Sequence, residues 1–400
     1  MNKKIYLDYA STTPVSKKVF KKMKPYFIDV FFNPSSIHKG GLVAKKAIQE
    51  SREKIARILS VRSQDVYFLG SGTESINLAM LGVVRKFLHD EKFKNILNGD
   101  RPHLIITSIE HPAVMEAARR LEREGADLTI IPVLQNGLVD TQKLRAALKP
   151  NTVLVSVMFA NNEIGTILPI SKISREIQEY KKKIGREKND FPFFHTDASQ
   201  AVNYFSVQVE KLGVDLMTID AGKFYGPKGV GVLYKKHSVP IEPIIFGGSQ
   251  EDGLRAGTEN VSGIVGCAEA FVDAQKNREK ESKRIIYLQL YFMEQFLKIF
   301  PNAILNGDLR QRLPNNINFC IPESNAEFLV LALDAKGVAV SSTTACKSLG
   351  DNSYSYVIEA LGRPECAASS IRFSLGRATT NNELKKVIKI LEKIKLDFKL

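Results

Sequence analysis

Phe193-Phe194-His195-Thr196-Asp197-Ala198-Ser199-Gln200 and, further on, Leu216-Met217-Thr218-Ile219-Asp220-Ala221-Gly222-Lys223 decide how this chain is read. Each is a short strand-like run that ends on polar, reactive side chains. Similar runs recur at Val66–Leu69, Leu104–Thr107, Leu128–Val133, Val153–Met158 and Val230–Tyr234, separated by helical patterns such as Ile76–Val84, Ala113–Glu124 and Ile170–Tyr180. Such alternation from about Leu59 to Tyr234 predicts an α/β domain built on a mainly parallel sheet covered on both faces. Open sheets of this kind bind ligands just beyond the carboxyl ends of their strands, which is where Asp197 and Lys223 fall.

After the Gly- and Pro-containing passage Pro240–Gly257 the pattern changes to one long helical run from Val261 to about Phe300. A smaller α+β section follows, with strands near Asn316–Cys320 and Ser370–Ser374. The first stretch, from Tyr6 to about Ile28, is expected to pack with this second part. At 400 residues, 44% hydrophobic and 25% charged, the chain has enough apolar surface for a full core and more than one domain. No apolar stretch approaches the ~20 residues of a membrane helix. The start, Met1-Asn2-Lys3-Lys4, has no long apolar region of the secretory kind, so a cytoplasmic location is expected.

The formal charge of +14 raises the question of nucleic acid. The basic residues are spread over Lys17–Lys24, Lys181–Lys188 and the terminal helix from Lys385 to Lys399. In that helix Leu384, Val387, Ile388, Leu391 and Ile394 repeat at helical spacing, so its lysines form a solvated face, with Thr380 and Glu383 as a capping box. No nucleic-acid module is recognisable, and binding to DNA or RNA is not expected. Cys267, Cys320, Cys346 and Cys366 show no CxxC spacing; free thiols are expected, with Cys267 and Cys320 in inert packing, and no metal site.

Asp197 and Lys223 suit pyridoxal phosphate. A carboxylate can keep the pyridine nitrogen protonated, and a lysine amine can hold the carbonyl carbon as a Schiff base. Gly70-Ser71-Gly72-Thr73-Glu74-Ser75 adds a phosphate-binding element, since it follows a strand and opens a helix whose first amides attract an anion. It lacks the Walker lysine spacing and the full GxGxxG fingerprint, which weakens a nucleotide reading.

Ten motifs in chain order then carry a family resemblance: Tyr6-Leu7-Asp8 with Ala10–Pro14, Asn33–Ser36, Gly72–Ser75, Glu110-His111, Asn161–Gly165, Asp197–Gln200, Lys223–Gly229, Arg255–Thr258, Ser341–Cys346 and Ser370–Phe373. The chain resembles the cysteine desulfurases of the NifS and IscS type, from its first ten residues to about Thr380. The resemblance implies a pyridoxal phosphate enzyme of fold type I with a seven-stranded, mostly parallel sheet. A large cofactor-binding domain would span residues 16–258, and a small α+β domain residues 1–15 and 259–400. It implies a homodimer that takes sulfur from L-cysteine, releases L-alanine and leaves a persulfide on Cys346 for a sulfur acceptor, an iron-sulfur scaffold or a tRNA-thiolation carrier.

By the same resemblance Lys223 is the Schiff-base lysine, Asp197 pairs with the pyridine nitrogen, Gln200 and Asn162 touch the ring oxygen or the substrate, and Gly72 with Thr73 holds the phosphate. Thr258 would reach the phosphate of the neighbouring subunit. His111 would stack on the ring and move a proton, helped by a pKa naturally near ~6.5. Arg372, with Asn33 as a second candidate, would hold the substrate carboxylate. Cys346 stands in a polar, small-residue segment that reads as a mobile loop, and Lys347 beside it could lower its pKa from ~8.5.

Several positions depart from the family pattern. Asp220 and Gly222 stand where a Ser or Thr and a His are usual ahead of the lysine. Asp220 would repel a phosphate unless it turned away or were protonated, so weaker cofactor retention is expected. Thr343-Thr344 and Lys347 change the cysteine segment, Asp252 replaces a commonly basic residue, and no extended tail follows the last helix. A selenocysteine lyase or an aminotransferase on the same fold is the nearest alternative, and a degenerate, non-catalytic scaffold relative the next.

Overall fold

A computed structural model describes residues 4–342 and 354–398. Among the described residues twelve strands form three sheets. In chain order they are β1 (Ile5–Tyr6), β2 (Val66–Leu69), β3 (His103–Thr107), β4 (Asp127–Ile131), β5 (Thr152–Ser156), β6 (Phe193–Asp197), β7 (Leu216–Asp220), β8 (Gly231–Lys235), β9 (Ile304–Leu305), β10 (Asn316–Cys320), β11 (Val338–Ala339) and β12 (Ser370–Ser374). The large sheet has seven strands in the order β2-β8-β7-β6-β5-β3-β4. Strands β3 to β7 pair in parallel and β8 pairs antiparallel to both β7 and β2. The expected strand at Leu128–Val133 is observed two residues shorter at its end, and that at Val153–Met158 stops at Ser156 because the chain turns there into the site.

Period-two alternation sorts each strand between two cores. Leu104, Ile106, Phe193 and Leu216 pack under the helices Gly72–His89 and Pro112–Arg123, while Ile105, Phe194, Met217 and Ile219 face the larger cluster that continues into the C-terminal part. This alternation places Asp197 on the face of Phe193, and Asp220 on the face of Leu216 and Thr218. The two carboxylates therefore emerge on the same side of the sheet.

The 39-residue helix Val261–Ile299 runs from the large sheet to the C-terminal part, where β10 is flanked by β9 and β12 in an antiparallel sheet. The N-terminal strand joins that part: Ile5 pairs with Val338 and Tyr6 with Ala339. In the last helix Leu384, Val387, Leu391 and Ile394 are buried, and its start is a reciprocal capping box in which the Glu383 amide donates to Thr380 Oγ1 at 3.2 Å and the Thr380 amide to Glu383 Oε2 at 3.0 Å. Among the described residues no helix is long and apolar enough to cross a membrane.

The expectation of free thiols is corrected at two positions. Cys320 and Cys366 form a disulfide with Cα atoms 5.4 Å apart, joining the end of β10 to the turn that precedes β12. The pairing of β10 with β12 brings them together across 46 residues, a separation that no local spacing rule detects. Cys267 is buried as expected, and burial pushes its thiol pKa far up, which keeps it protonated and inert.

Candidate active site

The carboxyl ends of β6 and β7 open into a cavity of about 170 Å³ lined by Gly72, His111, Asn162, Asp197, Lys223 and Arg372 among others. Beneath it lies a buried polar layer. His195 Nδ1 meets Ser156 Oγ at 2.8 Å and its Nε2 meets Thr218 Oγ1 at 3.0 Å, while Thr218 Oγ1 lies 2.9 Å from Ser75 Oγ. Burial pulls the His195 pKa down to about 3, so the ring is neutral and links β5, β6, β7 and the helix above them. Asp197, at the end of β6, accepts from the Ser199 amide at 2.9 Å and faces the cavity.

The N-terminal segment crosses the opposite wall. Lys223 Nζ donates to the carbonyls of Ala10 at 3.3 Å and Ser11 at 2.5 Å, and Gln200 Nε2 donates to Ala10 at 2.9 Å. Arg372, on β12 and only 1% exposed, donates from Nη2 to Asp8 Oδ1 at 2.7 Å and Ser11 Oγ at 2.8 Å, and from Nη1 to the Asn162 carbonyl at 3.0 Å. Its Nε has no partner among the described residues. A buried guanidinium with a spare donor beside a cavity is suited to an incoming carboxylate. Asn162 is held by its neighbours: Asn161 Oδ1 accepts from the amides of Glu163 and Ile164 at 2.8 and 2.9 Å, and Gly165 turns at φ +74° where a Cβ would collide with Asn316.

The turn Gly70–Glu74 opens the helix Gly72–His89 with Ser71 as its N-cap, whose Oγ accepts from the Glu74 amide at 3.1 Å. Glu74 Oε2 accepts from the Gly70 amide at 2.9 Å and its other oxygen pairs with Arg255 at 3.0 Å. Gly72 and Thr73 line the cavity as expected. Asp220 has not turned away: its Oδ2 accepts from the Gly72 amide at 3.1 Å and its Oδ1 from the Gly222 amide at 2.8 Å.

His111 is the N-cap of the helix Pro112–Arg123, and its Nδ1 accepts from the Ala113 amide at 3.1 Å. That bond assigns the ring proton to Nε2, so the imidazole is a donor at its other nitrogen. Burial lowers its pKa and nearby Lys223 adds to this, while Asp197 and Asp220 oppose it. Glu110 next to it is fully buried, accepting from Thr107 Oγ1 at 2.6 Å and from the Met158 amide at 3.0 Å. Burial first, then the charge of Asp197, pushes its pKa from 4.5 to about 8, against the lowering effect of those hydrogen bonds. The sign of the consequence follows by linkage. A folded-state pKa above the unfolded one stabilises fully below the unfolded value and is lost as pH rises through the folded one. The Glu110 contribution to the unfolding free energy should therefore decline between about pH 5 and about pH 8, beneath the opposite contribution of buried His195, and the difference in unfolding free energy between Glu110→Gln and the wild type should move in favour of the variant across that range. Urea unfolding of both proteins across the range measures this; parallel pH slopes would contradict it.

The structure thus gathers Lys223, Asp197, Gln200, Asn162, Gly72, Thr73, His111 and Arg372 around one cavity. It does not bring Asn33 there: Asn33 is exposed, and its Oδ1 accepts from the Ser35 amide at 2.9 Å. Thr258 is exposed and does not line the cavity of its own chain. Cys346 lies outside the described residues; the described stems on either side of its segment meet Arg372, which lines the cavity, and Glu110 and Glu163, which adjoin the lining residues His111 and Asn162. Ser341 pairs with Arg372 through backbone bonds of 3.2 and 2.7 Å, Ser355 Oγ donates to Glu163 Oε2 at 2.5 Å, and the Tyr356 hydroxyl donates to the Glu110 carbonyl. Asp8 is the site residue the sequence did not single out by role. Its partner stands 364 positions away, so the only signal was its place in the first motif.

The chain matches the family model described as Aminotransferase class-V over residues 5–387. It is 44% identical over 395 residues to "Cysteine desulfurase IscS" of Dictyoglomus turgidum, covering 98% of this chain and 95% of that protein. It is 40% identical to "Cysteine desulfurase IscS" of Methanosarcina thermophila, covering 98% and 92%. Among solved structures, one described as "NIFS-LIKE PROTEIN" superposes with a TM-score of 0.88 at 32% identity, covering 99% of this chain and 100% of the other. "SspA in complex with cysteine" superposes with a TM-score of 0.76 at 30% identity, covering 93% and 98%. Matched from its first strand into its last helix, this chain belongs to the class-V aminotransferase family.

Proposed function

We propose that the chain is a cysteine desulfurase that uses pyridoxal phosphate and stores the sulfur on Cys346. The observation that carries this reading is that the described stems of the Cys346 segment are tied beside the Lys223–Asp197 cavity, one to the lining residue Arg372 and the other to Glu110 and Glu163, each next in sequence to a lining residue, His111 and Asn162. The family and the near full-length similarity to cysteine desulfurases support the same reading.

The residues present fit the cofactor. Asp197 and Lys223 stand at and just beyond the ends of adjacent strands, and Gly72 and Thr73 at the helix start line the same cavity, with the Asp220 carboxylate on the Gly72 amide. Lys223 would be its covalent anchor, Asp197 the partner of its ring nitrogen, and Gln200 and Asn162 its neighbours at the ring edge. When bound, its protonated ring withdraws electrons from the substrate's α-carbon. Arg372 binds the carboxylate of L-cysteine and fixes which bond faces Lys223. The freed amine of Lys223 is the base for the α-proton, since the Nδ1 of His111 is held by the Ala113 amide and its Nε2 carries a proton to donate. The Cys346 thiolate attacks the substrate sulfur, forming an S–S bond as the C–S bond breaks. The electron pair stays with the carbon, which takes a proton to become alanine, and the enzyme keeps a persulfide.

Completion of each site by a second copy is part of this reading. Thr258 is exposed in the same passage as Phe246, which is 82% exposed and would be covered in a homodimer. The division into residues 16–258 and the remainder is supported by the pairing of β1 with β11, which attaches the N-terminus to the C-terminal part. The persulfide would pass to an acceptor protein of the iron-sulfur or tRNA-thiolation kind. Cys346→Ser separates the readings: it should abolish alanine formation from L-cysteine, whereas undiminished turnover of amino and keto acids by that variant would favour an aminotransferase.

A further inference from the structure

The helix start that would take the cofactor's phosphate already holds an anion of the protein's own. The side chain of Asp220 bridges the Gly72 and Gly222 amides, and a Cβ built on Gly72 would come within 3.0 Å of its Oδ2. A carboxylate thus lies against the turn that a phosphate must enter. Two like charges ~4 Å apart repel by about 4 kcal/mol at an effective dielectric constant of ~20, which is comparable with what a few charge-assisted hydrogen bonds return.

The groups around Asp220 do not remove that conflict. Lys223 is directed to the Ala10 and Ser11 carbonyls, and Lys228 Nζ donates to the Thr13 carbonyl at 2.9 Å. Arg255 is paired with Glu74, His111 is held neutral by its cap, and Asp197 adds a second negative charge across the cavity. Cys267, on the helix behind, is a protonated thiol. A proton placed between carboxylate and phosphate turns the repulsion into an O–H···O bond. A phosphate monoester can bring that proton, because its second pKa is ~6.

We propose that Asp220 makes this site selective for the singly protonated phosphate of the cofactor, so that binding takes up one proton, shared by an Asp220 oxygen and a phosphate oxygen, and phosphate recognition weakens as pH rises. The proposal rests on the pyridoxal phosphate reading above and goes beyond it by fixing the ionic form bound. Charge and protons balance: a monoanionic phosphate joins a carboxylate, or equivalently a dianionic phosphate joins with one proton from water.

The test compares affinity for pyridoxal phosphate with affinity for pyridoxal, which lacks the phosphate, by absorbance titration of the cofactor-free full chain between pH 6 and pH 9. The ratio cancels the titration of Lys223, which both vitamers share. In the wild type the ratio should fall by about tenfold per pH unit above the phosphate pKa of ~6, and in Asp220→Ser it should not fall. Asp220→Asn, which keeps the shape and can still accept from Gly222, should behave like the serine variant and guards against misfolding of the latter. A wild-type ratio that is flat, or one that falls equally in both variants, overturns the proposal while leaving the cofactor reading intact. If neither vitamer gives a coloured complex in any of the three proteins at any pH, the cofactor reading itself fails, and the proposal with it.

Discussion

Lys223→Ala is expected to cut alanine formation from L-cysteine by about 10³-fold or more, the scale on which a positioned base acts, with the loss of the covalent anchor added to it. The variant should still fold. The partners of the Lys223 amine are the carbonyls of Ala10 and Ser11 at the rim of a cavity, and water can replace the amine there. The absorbance of the lysine-bound cofactor should disappear, while far-ultraviolet circular dichroism stays that of the wild type. A variant that retains more than about a tenth of the wild-type rate would show that another group provides both functions.

Arg372→Lys is expected to raise KM for L-cysteine by about 10- to 100-fold with a smaller change in kcat, because a hydrogen bond to a charged group contributes about 1.5–3 kcal/mol. Lysine keeps the charge but not the fork. It cannot serve Asp8, Ser11 and the Asn162 carbonyl at once and still present a donor to the substrate, as the guanidinium does here. The residue is 1% exposed, so acceptors left without donors should also lower folding stability, by about 1–3 kcal/mol for each one stranded. Steady-state alanine kinetics and a urea denaturation curve read the two effects separately. An unchanged KM would place the substrate carboxylate elsewhere in the cavity.

The central sheet was legible because its strands are short, apolar and buried on both faces, and β2, β6 and β7 fall on the residues the sequence singled out. Asp197 and Lys223 could be placed from the strand-end rule alone, since the polar residue that ends a buried strand has nowhere to go but the sheet edge. The motif resemblance supplied what periodicity could not, namely Asn162, Gln200, His111 and Arg372. Contacts that depend on distant parts of the chain stayed hidden. Asp8 meets Arg372, and Cys320 meets Cys366, only because β12 lies beside both β10 and the N-terminal segment. Asp220 was expected to repel a phosphate unless it turned away, and its side chain bridges two amides beside the cavity, a detail set by the position of Gly72 after folding. Asn33, expected as a second candidate at the substrate, lies outside the cavity of its own chain, where its Oδ1 accepts from the Ser35 amide in an exposed turn.

The most direct measurement is the mass of the peptide that contains Cys346 after the cofactor-loaded chain has been incubated with L-cysteine under non-reducing conditions. The wild type should gain the mass of one sulfur atom on that peptide, in step with alanine release, and Lys223→Ala should gain none. No gain in the wild type, or an equal gain in Lys223→Ala, would contradict the claim that this cavity moves sulfur from substrate to Cys346.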